Sequence, residues 1–189
     1  MTGRGTSPPG HGSTVGRRLR ELREARALTL SELARQAGVG KATLSGLENG
    51  TRDPRLETLY AIAAALDVPM SALTLDRGAP ASAAAPVRGD AVLSTLLEVF
   101  EEPAATYELF ALRIVGGVEQ VSPAHPAGVT EHLTVFRGRA RVGPVGAPRS
   151  AGPGDHVCWP ADTPHLYATV GPDDVEASLL IRTPRAGRT

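Results

Sequence analysis

The chain has a single cysteine, Cys158, among its 189 residues. No disulfide can form within it, so a reducing cytoplasmic setting is the expected one. Aromatic residues are scarce, at 4 %, and any core must be built mainly from Leu, Val, Ile and Ala. No apolar run approaches the ~20 residues needed to cross a bilayer, which excludes a membrane-spanning helix. An excess of one charge sign is also absent: 20 Lys and Arg balance 20 Asp and Glu, which argues against indiscriminate binding to polyanions. The N-terminal residues 1–13 hold no apolar block, so they do not form a signal peptide. Their Gly, Pro, Ser and Arg composition predicts a disordered tail.

What is present falls into two unlike halves. Basic residues outnumber acidic ones between Ser13 and Leu75, and the balance reverses between Asp90 and Thr189. The segment 76–90, rich in Ala, Pro, Gly and Ser, has no core-forming period and predicts a flexible linker. A helical domain is expected over 14–75. A second domain is expected over 91–183, beginning with a short helix from Asp90 to Phe100. Beyond it, Gly and Pro punctuate short runs of Val, Leu, Ile and Phe, as in a β-sandwich or barrel. The fold class is therefore α+β in two domains, an all-α five-helix bundle followed by an all-β barrel.

In the first half, Val15, Leu19 and Leu22 share one helical face, with Ser13 or Thr14 as the cap. Thr29 and Glu32 have capping-box spacing, and Gly38 suits a left-handed helix end. Only Gly38-Val39-Gly40 separates that helix from the next, which starts near Lys41, buries Leu44 and Leu47, and stops at Asn49-Gly50. A fourth helix follows Pro54 with Leu56, Leu59, Ile62, Ala63 and Leu66 on one face, and Pro69 opens a short fifth one. Two short helices about a tight Gly-containing turn form a helix-turn-helix. Arg17, Arg18 and Arg20 read as a solvated charged face.

From Leu28 through Leu-Glu-Asn-Gly (47–50) to Leu66, these residues resemble the lambda-repressor/Cro class of helix-turn-helix domains, the XRE family, over Val15 to Leu75. The resemblance implies that the helix from Lys41 to Glu48 enters the major groove of double-stranded DNA. Base reading would fall to Lys41, Ala42 and Ser45, with Gly46 also facing outward where such repressors often carry a long polar side chain. Phosphate contacts would come from Ser31, Thr43, Asn49 and Arg52. The resemblance also implies a buried ion pair between Arg23 and Glu48. Members usually bind as homodimers on half-sites about one helical turn apart.

The second half carries a further resemblance. The runs His125 to Gly138 and Gly154 to Tyr167 are similar to the two motifs of the cupin superfamily, which implies a small cupin barrel. Its metal-binding members use two histidines and a glutamate from the first motif and a histidine from the second. His125, Glu131 and His165 match three of these positions; Ala127 replaces the remaining histidine, and Thr169 replaces an asparagine that often follows. His132 cannot substitute, because adjacent strand residues point to opposite faces. Three readings stay open. The triad holds one divalent metal ion, or it hydrogen-bonds a small polar ligand without metal, or its members merely fill the barrel mouth. Cys158 is expected in the core and His156 on the surface.

Together the halves imply a cytoplasmic, bacterial, sequence-specific DNA-binding transcriptional regulator. It would be homodimeric, would respond to a small-molecule effector in the cupin pocket, and would not be an enzyme. Two rivals remain, a cupin dioxygenase or isomerase fused to a DNA-binding domain, and a DNA-binding interaction adaptor.

Overall fold

A computed structural model describes residues 11–76 and 78–185. Most of the expected tail, residues 1–10, lies outside the described residues. Five helices come first: α1 (His11–Glu24), α2 (Leu30–Ala37), α3 (Lys41–Glu48), α4 (Leu56–Ala65) and α5 (Ser71–Thr74). The first begins earlier than expected, so Ser13 and Thr14 lie inside it rather than capping it. Local chemistry sets α2. The Thr29 side chain accepts from the Glu32 amide, the Glu32 carboxylate accepts from the Thr29 amide, and the helix ends at Gly38 in the left-handed region.

Ten strands follow: β1 (Val87–Arg88), β2 (Val92–Glu101), β3 (Ala105–Ile114), β4 (Glu119–Ser122), β5 (Thr130–Arg137), β6 (Ala140–Pro144), β7 (Arg149–Ala151), β8 (His156–Pro160), β9 (His165–Thr169) and β10 (Val175–Pro184). They form an antiparallel six-stranded sheet, ordered β1-β2-β3-β10-β5-β8, and a four-stranded sheet, ordered β4-β9-β6-β7. The pairing register aligns Glu108 with Ile181, Ile181 with Glu131, and Glu131 with Trp159. All four are buried, so this row lines the inside of the barrel.

Two expectations need correction. The segment from Asp90 to Phe100 is not helical; Val92–Glu101 is a strand with an irregularity between Leu96 and Glu98. Nor is the segment 76–90 free of the fold. It contains a 3-10 turn at Ala81–Ala83, buried Ala84 and Val87, and strand β1 paired with β2.

The buried apolar side chains of helices and barrel form one continuous cluster. Glu57 of α4 accepts a hydrogen bond from the Asp90 amide at 3.3 Å, and Gln120 of β4 accepts from the amides of Ala91 and Val92. Gly89 lies between those two side chains. A Cβ there would come within 2.4 Å of the Gln120 Oε1 and 2.6 Å of the Glu57 Oε1, so any side chain at this position would push aside the two carbonyl and carboxylate oxygens that hold the amides of Asp90, Ala91 and Val92. Among the described residues, no helix is long and apolar enough to cross a membrane.

Candidate functional site

The turn between α2 and α3 leaves one side of α3 uncovered. Lys41 and Ala42 are exposed, Thr43 and Ser45 are half-buried, and Leu44 and Leu47 point into the core. Ser31, near the start of α2, is exposed, as are Asn49 and Arg52 beyond α3. The Asn49 amide donates to the Ser45 hydroxyl at 3.4 Å, and Arg52 donates to the Thr43 hydroxyl at 3.3 Å. Four of the candidate DNA-contacting residues are thus linked in two pairs, Ser45 with Asn49 and Thr43 with Arg52.

Gly46 is a correction, because it is buried rather than outward. A Cβ on it would stand 2.9 Å from both Cγ and Cδ of Arg52. The stem of Arg52 occupies the space where a side chain on α3 would project, and its guanidinium reaches the exposed side beside Thr43. The Arg23–Glu48 pair is present at 2.7 Å with both side chains largely buried, and Arg20 adds a second cation at 3.1 Å. Burial works against the Glu48 charge, but the hydrogen bonds from Arg23 and Arg20 outweigh it and hold the carboxyl below its ordinary range. Arg18 does not belong to a solvated face. It is buried and donates to the Ala72 carbonyl of α5 at 3.1 Å.

Inside the barrel, the structure brings His125, Glu131 and His165 together, each offering a ligand atom within 4.8 Å of the others. Glu131 comes from β5 and His165 from β9, so both sheets supply the cluster. His125 precedes β5, and its amide is fixed by the Ala161 carbonyl at 2.9 Å. The Glu131 Oε1 lies 2.9 Å from the His125 Nε2 and 3.4 Å from the His165 Nε2. Its Oε2 accepts from the Tyr167 hydroxyl. The His165 Nδ1 donates to the Thr163 carbonyl at 2.9 Å, which leaves Nε2 an acceptor in the neutral ring and a donor towards Glu131 in the protonated one. That Nε2 is buried and has no hydrogen-bond partner. Burial opposes the Glu131 charge, yet the two imidazoles hold its carboxyl far below the usual range. Burial lowers His165, and its contact with Glu131 more than reverses this, so the imidazole is held above its ordinary value.

Three further participants were not among the expected site residues. Tyr60 on α4 sets its ring edge-on against His125, with centroids 4.6 Å apart. Burial, with the charges of Glu131 and Glu108 nearby, keeps its phenol well above the ordinary value. Tyr167 sits in the second motif, but only the packing of the four-stranded sheet on the six-stranded one reveals its bond to Glu131. Glu108 is buried and accepts from the Ser71 amide of α5 at 2.6 Å; burial raises its carboxyl. A periodicity of two along β3 would have shown Glu108 to be inward-facing.

Cys158 is a further correction. It is exposed, on the outer face of β8, and its Sγ lies 3.6 Å from the His132 Nε2. Val157 and Trp159 are the buried residues of that strand. His156 is exposed as expected, and His132 lies on this outer face away from the triad.

A helix-turn-helix packed on a β-barrel with an inward His/Glu cluster has the make-up of a two-part transcription regulator. Comparison with known proteins narrows the class. Residues 19–73 match the helix-turn-helix family HTH_3. The chain is 31 % identical over 169 residues to the HTH-type transcriptional regulator SutR of Escherichia coli K12, covering 89 % of this chain and 94 % of that protein. It is 33 % identical over 123 residues to the uncharacterized HTH-type transcriptional regulator RghRB of Bacillus subtilis, covering 65 % of this chain and 81 % of the relative. An HTH_3 family transcriptional regulator from Vibrio cholerae, known from its crystal structure, superposes with a TM-score of 0.76 at 26 % identity, over 93 % of this chain and 98 % of that one. The chain belongs to the HTH-type transcriptional regulators.

Proposed function

We propose that this regulator binds its operator as a homodimer through α3 and senses a small-molecule effector at the barrel triad, where one divalent metal ion sits on His125, Glu131 and His165. Lys41, Ala42 and Ser45 face base edges in this reading, and Ser31, Thr43, Asn49 and Arg52 face phosphates. The observation that carries the pocket is the buried His165 Nε2, which has no hydrogen-bond partner, faces the Glu131 carboxylate at 3.4 Å and is fixed from behind through the Thr163 carbonyl. Two imidazoles and a carboxylate within metal-bridging reach fit a divalent ion, whose role there would be to attract the polar group of an effector.

A metal-free pocket is the second reading. It is favoured by the Tyr167 hydroxyl, which together with His125 satisfies Glu131 without an ion. A catalytic role is not proposed, because α4 closes over His125: the cavity reaching it, lined also by Tyr60, Met70 and Glu108, measures about 20 Å³, room for about one water molecule.

Titration with Zn2+, Ni2+ and Mn2+ tests the site, alongside binding to a duplex from the protein's own upstream region. One ion per chain, lost in His165→Ala, supports the metal reading; equal binding by that variant refutes it. Lys41→Ala weakens duplex binding by about tenfold or more, as loss of a base contact does, whereas His165→Ala leaves it intact. Equal loss in the two variants contradicts the division of labour.

A further inference from the structure

We propose that Tyr60 of the helix-turn-helix domain is the removable wall of the barrel pocket, so that any ligand bulkier than a bare cation enters by displacing Tyr60 and thereby loosens the DNA reader from the barrel. The inference rests on the effector-site reading above.

The pocket belongs to neither domain alone. Its inner wall is the buried row Glu108, Ile181, Glu131 and Trp159 on the six-stranded sheet, with His165 opposite. Its outer wall is α4, which presents the Tyr60 ring to His125 at 4.6 Å. Where α4 meets this wall, the cavity lined by Tyr60, Met70, Glu108, His125 and Ile181 measures about 20 Å³. The triad's ligand atoms already stand within 4.8 Å of one another, so a bare cation asks for little further movement. A molecule of even three or four heavy atoms does, since close-packed interiors do not yield space without displacing a side chain. His125 is held from the barrel side by the Glu131 carboxylate and through its amide by the Ala161 carbonyl. The yielding partner is therefore Tyr60.

Displacement of that ring cannot stay local. Tyr60 lies in the middle of α4, between Leu59 and Ile62, which are fully buried in the helical core. The same helix carries Glu57, which holds the Asp90 amide, and α5 is tied to the barrel through the Ser71 amide on Glu108. Shifting Tyr60 away from His125 moves α4 relative to the barrel and strains both ties. A ligand binding the displaced arrangement better than the closed one shifts the balance between them. The chemistry of the site also indicates the class of molecule. A divalent ion held by one carboxylate and two imidazoles keeps a net positive charge, so a small anion is the favoured entrant.

The test uses the full chain as wild type, Tyr60→Leu and Tyr60→Phe. The Leu variant keeps α4 apolar but withdraws from His125; the Phe variant keeps the wall. Each is titrated first with Co2+ and then with azide, the probe anion, and followed by the visible spectrum of the ion. Hydrogen exchange of the amides in α4 and α5 is measured in parallel. Co2+ should bind all three within about threefold. Azide should bind Tyr60→Leu at least tenfold more tightly than wild type or Tyr60→Phe. In wild type, azide should raise exchange in α4 and α5 towards the level that Tyr60→Leu shows with Co2+ alone. Equal azide affinity in wild type and Tyr60→Leu, or azide binding without a change in exchange, overturns the inference while leaving the metal site standing. Failure of Co2+ to bind any of the three removes the metal reading and this inference with it.

Discussion

Gly46 and Arg52 show how a missing side chain can shape a recognition surface. Because α3 carries no Cβ at Gly46, the Arg52 stem lies across the helix and delivers its guanidinium beside Thr43. Gly46→Ala is expected to push the stem off by placing a methyl 2.9 Å from Cγ and Cδ. The helix itself should gain slightly from alanine, so a loss of duplex affinity would report the displaced arginine and not an unfolded helix. Weakening of about tenfold, with the melting temperature kept or raised, is the expected result in a fluorescence-anisotropy titration. Unchanged affinity would mean that Arg52 does not touch DNA. The Arg23–Glu48 pair makes a different kind of prediction. Arg23→Ala leaves a buried carboxylate short of its main partner and should cost about 3–5 kcal/mol of folding stability by denaturant melt. Since Glu48 is held below its ordinary value, its contribution is complete above that value and is lost as pH falls through the lowered one. The stability gap between wild type and Glu48→Gln should therefore be widest near neutrality and should close on acidification below about pH 4. A gap that widens in acid would reverse the assigned sign.

At the scale of elements, legibility followed locality. The capping box of α2, the three-residue turn and the exit of α3 involve residues within a few positions of each other, and sequence spacing suffices to place them. Strand β2 was misread for an identifiable reason. The irregularity between Leu96 and Glu98 breaks its alternation, so Val92, Leu93, Leu96, Val99 and Phe100 mimic the three- and four-residue spacing of a helix. The Cys158 error arose differently: a run of three apolar residues was read as wholly buried, although a strand at a sheet surface hides only alternate ones. His125, Glu131 and His165 are legible from their motif spacings, whereas Tyr60 reaches the pocket only through the packing of a distant helix, and Glu108 is legible only as an inward residue of β3, its tie to α5 depending on the packing. The tie between β3 and α5 can be probed directly. Glu108→Ala removes the acceptor of a buried amide and should lower stability by about 1–3 kcal/mol, whereas Glu108→Gln keeps an acceptor and should lose little. Thermal melts of the two variants separate the hydrogen bond from the charge, and equal losses would show that the bond to Ser71 contributes nothing.

For the whole molecule, the decisive feature is that the DNA reader and the barrel share one apolar cluster. Two domains on a slack tether unfold separately, whereas two domains with a common core lose stability together. Wild type is therefore expected to give one calorimetric transition. Gly89 offers a way to divide it, because that residue touches neither core but sits where Glu57 of α4 and Gln120 of β4 converge. Gly89→Val should push the Glu57 and Gln120 ends off the junction amides and split the endotherm in two, with the helical part melting first and the barrel largely retaining its transition. Two transitions in wild type would mean that the halves are thermodynamically independent, and a signal from the triad would then have no packed route to α3. A single undisturbed transition in Gly89→Val would mean that the junction yields without cost. In either case the close fit at Gly89 would not be what couples the pocket to the recognition helix.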